Sequence, residues 1–494
     1  MPRLLILLAL PLSAAISDPV RVEQGLLSGT ANGSVRVYKG VPFAAPPVGD
    51  LRWRAPEPAA SWKGVRAADK FSSTCMQTPY PEGSLYRSTP EPVTEDCLYL
   101  NIYTAASAAS VKRPVMVWIH GGAFIKGSGS TPTYDGSALA TKGAVVVTIN
   151  YRLGIFGFFA NPELTAESGH HASGNYAILD QIAALKWVQK NIAAFGGDPS
   201  RVTIFGESAG SWAVNALVAS PLAKGLFHRA IGESGANFGS IPKMTEAEKA
   251  GAKAGSVADL RAKSADDILK LPWAIALTID GYVEPELVRT IFEKGHQNDV
   301  PILIGSNADE GTAFMPPKMS VAAYEGSVRG RLGVYADDFL RLYPASTDEE
   351  AWKAAAHVMR DQTFGVQMRM WARLQAKTGK APAYLYYFSR VPPGGELARH
   401  YGAFHASEIS YAFGTPDIGR RPWNDDDKKL SDIMSSYWVN FAATGNPNGP
   451  GLPVWPQYDE KKDVAMGMGD RIEPIPVPNK AALDVLTNVV NGSK

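Results

Sequence analysis

The sequence predicts an α/β fold: a mostly parallel central sheet flanked by helices, with helical insertions over one end of it. Three observations carry that expectation. Short β-branched or aromatic runs recur at Pro114–Ile119, Ala144–Ile149, Val202–Phe205, Val300–Ile304 and Ala383–Phe388, as strands buried on both faces do. Between the second and third, Ile178, Ile182, Leu185 and Ile192 share one helical face while Lys186, Gln189 and Lys190 lie off it. Strand, helix and strand in that order imply a right-handed crossover between parallel strands. The third observation is a glycine-flanked serine placed between a strand and a helix, taken up below.

Each element follows from local chemistry. The crossover helix is expected to stop at Phe195-Gly196-Gly197-Asp198-Pro199, where glycine takes a left-handed cap and proline blocks continuation. Two stretches rich in Ala, Lys, Asp and Glu, about 242–272 and 316–380, read as helices outside the sheet that roof the site. A chain of 494 residues would ordinarily suggest about three domains. The chemistry-bearing residues described below run from 120 to 405, so cutting the chain would separate them. One domain over 18–494 is therefore expected.

Composition excludes several classes of function. The chain is 45% hydrophobic and 20% charged, as soluble globular proteins are, and its 49 basic and 48 acidic side chains nearly cancel. No field exists to draw nucleic acid or an anionic membrane, so small, largely neutral ligands are expected. At the N-terminus Arg3, the apolar run Leu4–Leu12 and the small residues Ser13–Ser17 read as an export signal over residues 1–17, cleaved near Ala15 or Ser17. That run is shorter than the ~20 residues that span a bilayer. The mature protein is expected in the periplasm or outside the cell, where Cys75 and Cys97, the only cysteines, would pair. Closing that loop would stabilise by roughly 3 kcal/mol in the chain-entropy model.

The strongest chemical signal is Gly206-Glu207-Ser208-Ala209-Gly210, after the strand Val202–Phe205 and before the helical stretch Ser211–Ala219. In that setting G-x-S-x-G is a nucleophile elbow: a strained turn exposes the serine, and only tiny residues fit two positions to either side. The helix N-terminus favours negative charge developing there. A second signal, His120-Gly121-Gly122-Ala123-Phe124, follows the strand ending at Ile119. Paired glycines let backbone approach a substrate, and the Gly121, Gly122 and Ala209 amides are the expected oxyanion hole. His120 is read as a brace for this loop.

If the chain order is nucleophile, acid, base, the base lies on a loop after the last strands. His405 follows the strand ending at Phe388, and His400 rivals it on position. For the acid, Asp309 and Glu310 both follow the strand Val300–Ile304, and position does not separate neighbours.

The chain resembles the type-B carboxylesterase and cholinesterase family of α/β-hydrolases across nearly all of its mature length. The likeness runs through Tyr38-Lys39-Gly40-Val41-Pro42-Phe43-Ala44, Leu51-Arg52-Trp53, Glu95-Asp96-Cys97-Leu98-Tyr99-Leu100-Asn101, the glycine loop, Gly174-Asn175 to Asp180-Gln181, and the elbow. The resemblance implies a serine esterase, whose chemistry needs no metal or organic cofactor. It assigns the acid to Glu310 in Asn307-Ala308-Asp309-Glu310-Gly311 and the base to His405 in His405-Ala406-Ser407-Glu408, and it pairs Cys75 with Cys97. Glu207 also matches the family and would either add negative potential beside the nucleophile or serve a structural role.

Two other readings are weighed against the esterase. An amidase would use the same groups. A non-catalytic, esterase-like binding protein would have lost triad residues, and here all are present. Reading His405 and Glu408 as metal ligands fails for want of a third. Phe124, Trp212 and Phe314 are candidate pocket walls. The loop between the cysteines holds Tyr80 and Tyr86 but no tryptophan, so the cation-binding indole of cholinesterases has no counterpart there.

Overall fold

The computed structural model describes residues 16, 18–86, 92–416, 418 and 421–492. The expected export signal lies outside the described residues, apart from Ile16. A single sheet of eleven strands organises the chain: β1 (Thr30–Asn32), β2 (Val35–Pro42), β3 (Tyr99–Thr104), β4 (Arg113–Ile119), β5 (Val145–Ile149), β6 (Gly197–Glu207), β7 (Arg229–Glu233), β8 (Ile302–Asn307), β9 (Ala383–Phe388), β10 (Val464–Met468) and β11 (Ile472–Pro476). They lie in the order β11-β10-β9-β8-β7-β6-β4-β5-β3-β2-β1. Strands β5 through β10 in that array run parallel, and the antiparallel pairings are at its two ends. With helices on both sides, this is the α/β-hydrolase fold.

Alternation along β4 shows why the central strands read as unbroken apolar runs. Val115, Val117 and Ile119 enter one core cluster, while Met116 and Trp118 enter another on the opposite face. The first cluster receives helix α1 (Tyr176–Asn191) through Ile178, Ile182 and Leu185, and helix α2 (Ala209–Ala219) through Ala213, Val214 and Leu217. The long helices of the 316–380 insertion that bear on the site are α3 (Asp348–Arg360) and α4 (Val366–Thr378). The second cluster is closed by α5 (Asp425–Thr444) through Leu430, Met434 and Trp438. No helix among the described residues is long and apolar enough to cross a membrane.

The crossover helix ends as its residues require: a short 3-10 turn, Ile192–Phe195, leads to Gly196 at φ 79°. Some boundaries differ from expectation: β8 spans Ile302–Asn307 rather than Val300–Ile304. Strand β6 starts at Gly197 rather than Val202, because a register irregularity between those residues absorbs Pro199 while keeping Gly197 paired with Arg113. The motifs outside the glycine loops are structural braces. Arg52 grips Glu95 through two hydrogen bonds, at 2.7 and 2.6 Å, and donates to the Leu260 carbonyl. Arg152 holds Asp180 in the same forked way, both side chains being buried. Cys75 and Cys97 form a disulfide.

Candidate active site

Strand β6 delivers Ser208 to the carboxyl end of the sheet and α2 starts immediately after it. Ser208 sits at φ 55°, a left-handed conformation that a residue with a side chain adopts only when its surroundings fix it. Its N–H donates to the Glu233 carbonyl at 2.8 Å, and its carbonyl accepts from Trp212 at 2.9 Å. The flanking glycines are demanded by close approach. A Cβ on Gly206 would lie 2.6 Å from the Ile119 carbonyl oxygen and one on Gly210 only 2.0 Å from it. The elbow is thus pressed against the end of β4, which also launches the glycine loop.

That loop turns back over the serine. A Cβ on Gly121 would meet Ser208 Cβ at 3.1 Å and Glu207 Oε2 at 2.7 Å. Among the described residues the Gly121 and Gly122 amides have no protein acceptor. Ala209 is the first residue of α2, so its N–H has no partner within the helix. His120 is buried, which lowers its pKa to about 4 and keeps it neutral; Nδ1 donates to the Gly121 carbonyl at 2.8 Å. The Tyr151 ring stacks on it at 4.4 Å. Its geometry is that of a brace. Phe124 is buried, its ring centre 5.1 Å from that of Phe158.

Glu310 and His405 come from the loops after β8 and β9. Glu310 Oε2 stands 2.6 Å from His405 Nδ1, while Oε1 accepts the Asn307 amide at 2.7 Å. Asp309 points elsewhere: its Oδ2 accepts the Ala403 N–H at 2.8 Å, tying down the loop that carries the histidine. His400 is exposed and packs on Trp352, with ring centroids 5.0 Å apart. On its other side, His405 Nε2 lies 3.1 Å from Glu207 Oε1, a contact without the alignment of a hydrogen bond. Ser208 makes no hydrogen bond to the imidazole here, and such bonds commonly tighten only in the substrate complex.

Four buried carboxyls surround this point: Glu207, Glu233, Glu310 and Glu408. Desolvation pushes Glu207 well above the usual carboxylate range, with the charges of Glu310 and Glu233 adding to it. Glu408 is raised in the same way, although Asn307 Nδ2 donates to it. Burial raises Glu233 to about 8, against the opposing hydrogen bond from Trp438 Nε1 at 2.8 Å. The sign for stability follows. The unfolded carboxyl loses its proton near 4.5 and the folded one only near 8, so stability is fully present below 4.5 and is lost as pH rises through 8. Glu233→Gln, which mimics the protonated acid, is therefore expected to lose a few °C less Tm than wild type between pH 5 and pH 9. Equal losses in thermal melts would show that other groups carry the slope.

The walls are largely aromatic. Between α3 and α4 the helix widens into a single π turn, Asp361–Gly365, anchored by Arg360 Nε donating to Asp361 Oδ1 at 2.8 Å. The turn brings Phe364 to within 4.6 Å of the His405 ring, and Phe314, 43% exposed, covers the same imidazole at 5.0 Å. Trp212 is half-buried, 6.4 Å from Phe124. From the disulfide loop, Tyr86 donates its hydroxyl to the His405 carbonyl at 3.1 Å. Sequence reasoning missed Glu233 and Phe364 altogether. A carboxylate closing the apolar run of β7 was a signal for the first; nothing local marked the second.

Comparison with known proteins places the chain among esterases. A family model described as the carboxylesterase family matches residues 17–476. The chain is 38% identical to a fumonisin B1 esterase of Sphingopyxis macrogoltabida, over 94% of this chain and 89% of that one. It is likewise 38% identical to a para-nitrobenzyl esterase of Bacillus subtilis (strain 168), over 90% and 93%. Carboxylesterase 1C of Rattus norvegicus is 39% identical, over 87% and 84%. Among solved structures, a PNB esterase superposes with a TM-score of 0.83 at 34% identity, covering 94% of this chain and 99% of its own.

Proposed function

The chain belongs to the carboxylesterase family and is a hydrolase of carboxylic esters; from that premise we propose that it works through an acyl-serine intermediate, with Ser208 as nucleophile, His405 as general base and Glu310 as its partner. Ser208 Oγ attacks the ester carbonyl as His405 Nε2 takes its proton, and Glu310 fixes the tautomer that leaves Nε2 free and stabilises the imidazolium formed. The oxyanion rests on the Gly121, Gly122 and Ala209 amides. His405 then protonates the departing alcohol, and water repeats the sequence to release the acid. This chemistry calls for no metal or organic cofactor.

The observation that supports this reading most is the 2.6 Å contact of Glu310 with His405 Nδ1, which leaves the other ring nitrogen directed at the elbow. The aromatic walls fit a small-molecule ester. The apolar run near the N-terminus supports export to the periplasm or beyond. Mass spectrometry of protein treated with a fluorophosphonate tests the mechanism: one adduct is expected, on the peptide carrying Ser208, with activity lost in proportion. An adduct elsewhere, or activity that survives full modification of Ser208, overturns it.

A further inference from the structure

The disulfide loop is fastened to the glycine loop on two sides. Gln77 Nε2 donates to the Gly127 carbonyl at 2.8 Å, and the Gly127 N–H donates back to Gln77 Oε1 at 2.9 Å. Lys126 Nζ donates to the Pro79 carbonyl at 2.7 Å and lies 5.1 Å from the centre of the Tyr80 ring. The next residue after Pro79 is therefore held against the turn that presents the oxyanion amides. The Tyr80 hydroxyl comes within 3.2 Å of the point where a Cβ on Gly122 would lie. Among the described residues that hydroxyl has no protein hydrogen-bond partner, whereas its neighbour Tyr86 spends its own on the His405 carbonyl.

We propose that the Tyr80 hydroxyl is a further hydrogen-bond donor to the oxyanion that forms beside Gly122, acting with the three backbone amides in both acylation and deacylation. The inference rests on the acyl-serine reading above. Three features support it. Gly122 leaves open a space, bounded by the Lys126 carbonyl, that a Cβ would fill 3.2 Å from the phenol oxygen. Burial, with Glu207 adding to it, raises the phenol to about 12, so it carries its proton at neutral pH. A phenol fixed in place before reaction also requires no reorganisation when negative charge develops, which is the condition for a donor to favour the transition state over the ester.

Tyr80→Phe in the full chain tests this, because the ring that packs on Tyr86 and Lys126 is kept. Hydrogen bonds to charged groups are strong enough that kcat on p-nitrophenyl acetate is expected to fall about 10- to 100-fold with KM changed less than about twofold. Affinity for a trifluoromethyl ketone, which adds to the serine as an oxyanion, should weaken by a similar factor. A kcat within about twofold of wild type overturns the proposal. So does a rise in KM at unchanged kcat, which marks a contact made equally to the ester. Ser208→Ala assayed in parallel separates the two readings: full turnover there overturns the serine mechanism and this donor with it, whereas an inactive Ser208→Ala beside a wild-type Tyr80→Phe overturns the donor alone.

Discussion

Ser208→Ala is expected to leave a folded protein whose ester hydrolysis is reduced by at least about 10⁴-fold. On the proposed mechanism, the size of the loss follows from how the site divides labour. Without the hydroxyl, His405 has no proton to take and Glu310 has nothing to orient, so both become idle together. What survives is binding and the polarising effect of the Gly121, Gly122 and Ala209 amides on water attack, which is a small residue of the whole. Folding should be unaffected, because the strained φ of 55° is imposed by Gly206, Gly210 and the end of β4 rather than by the hydroxyl. A purified variant with a native melt that keeps a tenth of the wild-type kcat would sink the nucleophile assignment.

Glu310→Gln is expected to cost on the order of 10⁴-fold, and Asp309→Asn less than about tenfold. The two carboxylates are adjacent in sequence and opposite in task. Glu310 faces Nδ1 of the imidazole at 2.6 Å, and an amide there can present its NH2 and hold the wrong tautomer. Asp309 accepts the Ala403 N–H, a bond that a side-chain amide oxygen also makes. Loss of Asp309 therefore loosens the loop, while loss of Glu310 removes the charge that stabilises the imidazolium. Steady-state kinetics on the two variants decide the matter, and a reversed order would reassign the acid.

Much of this was legible because the central strands are buried on both faces. In β4 from Pro114 onward, β5 and β9 nearly every residue is buried, so apolar character dominates, with Thr148 the polar exception. Other strands lacked that signal. β7 mixes Arg229, Gly232 and Glu233 with its apolar residues, β10 carries Gly467, and β11 contains Pro474 and Pro476, which only an edge strand tolerates. At the site, the elbow and glycine loop were readable because their geometry forbids a Cβ at given positions. The choice between Asp309 and Glu310 was not a property of local sequence, and only the family resemblance had favoured Glu310. Phe364 was hidden for a related reason: it reaches His405 through a π turn anchored by Arg360, which no local periodicity reveals. Tyr80 and Tyr86 were noted only for the indole they do not supply.

The claim that matters most is that Ser208, His405 and Glu310 act as one unit, and the double variant Ser208→Ala/Glu310→Gln measures it. Independent contributions multiply, whereas members of a unit cannot be lost twice. The kcat/KM of the double variant is expected to match that of Ser208→Ala alone within a few-fold. A double variant slower than Ser208→Ala by the full factor that Glu310→Gln costs in the wild-type background would contradict the triad.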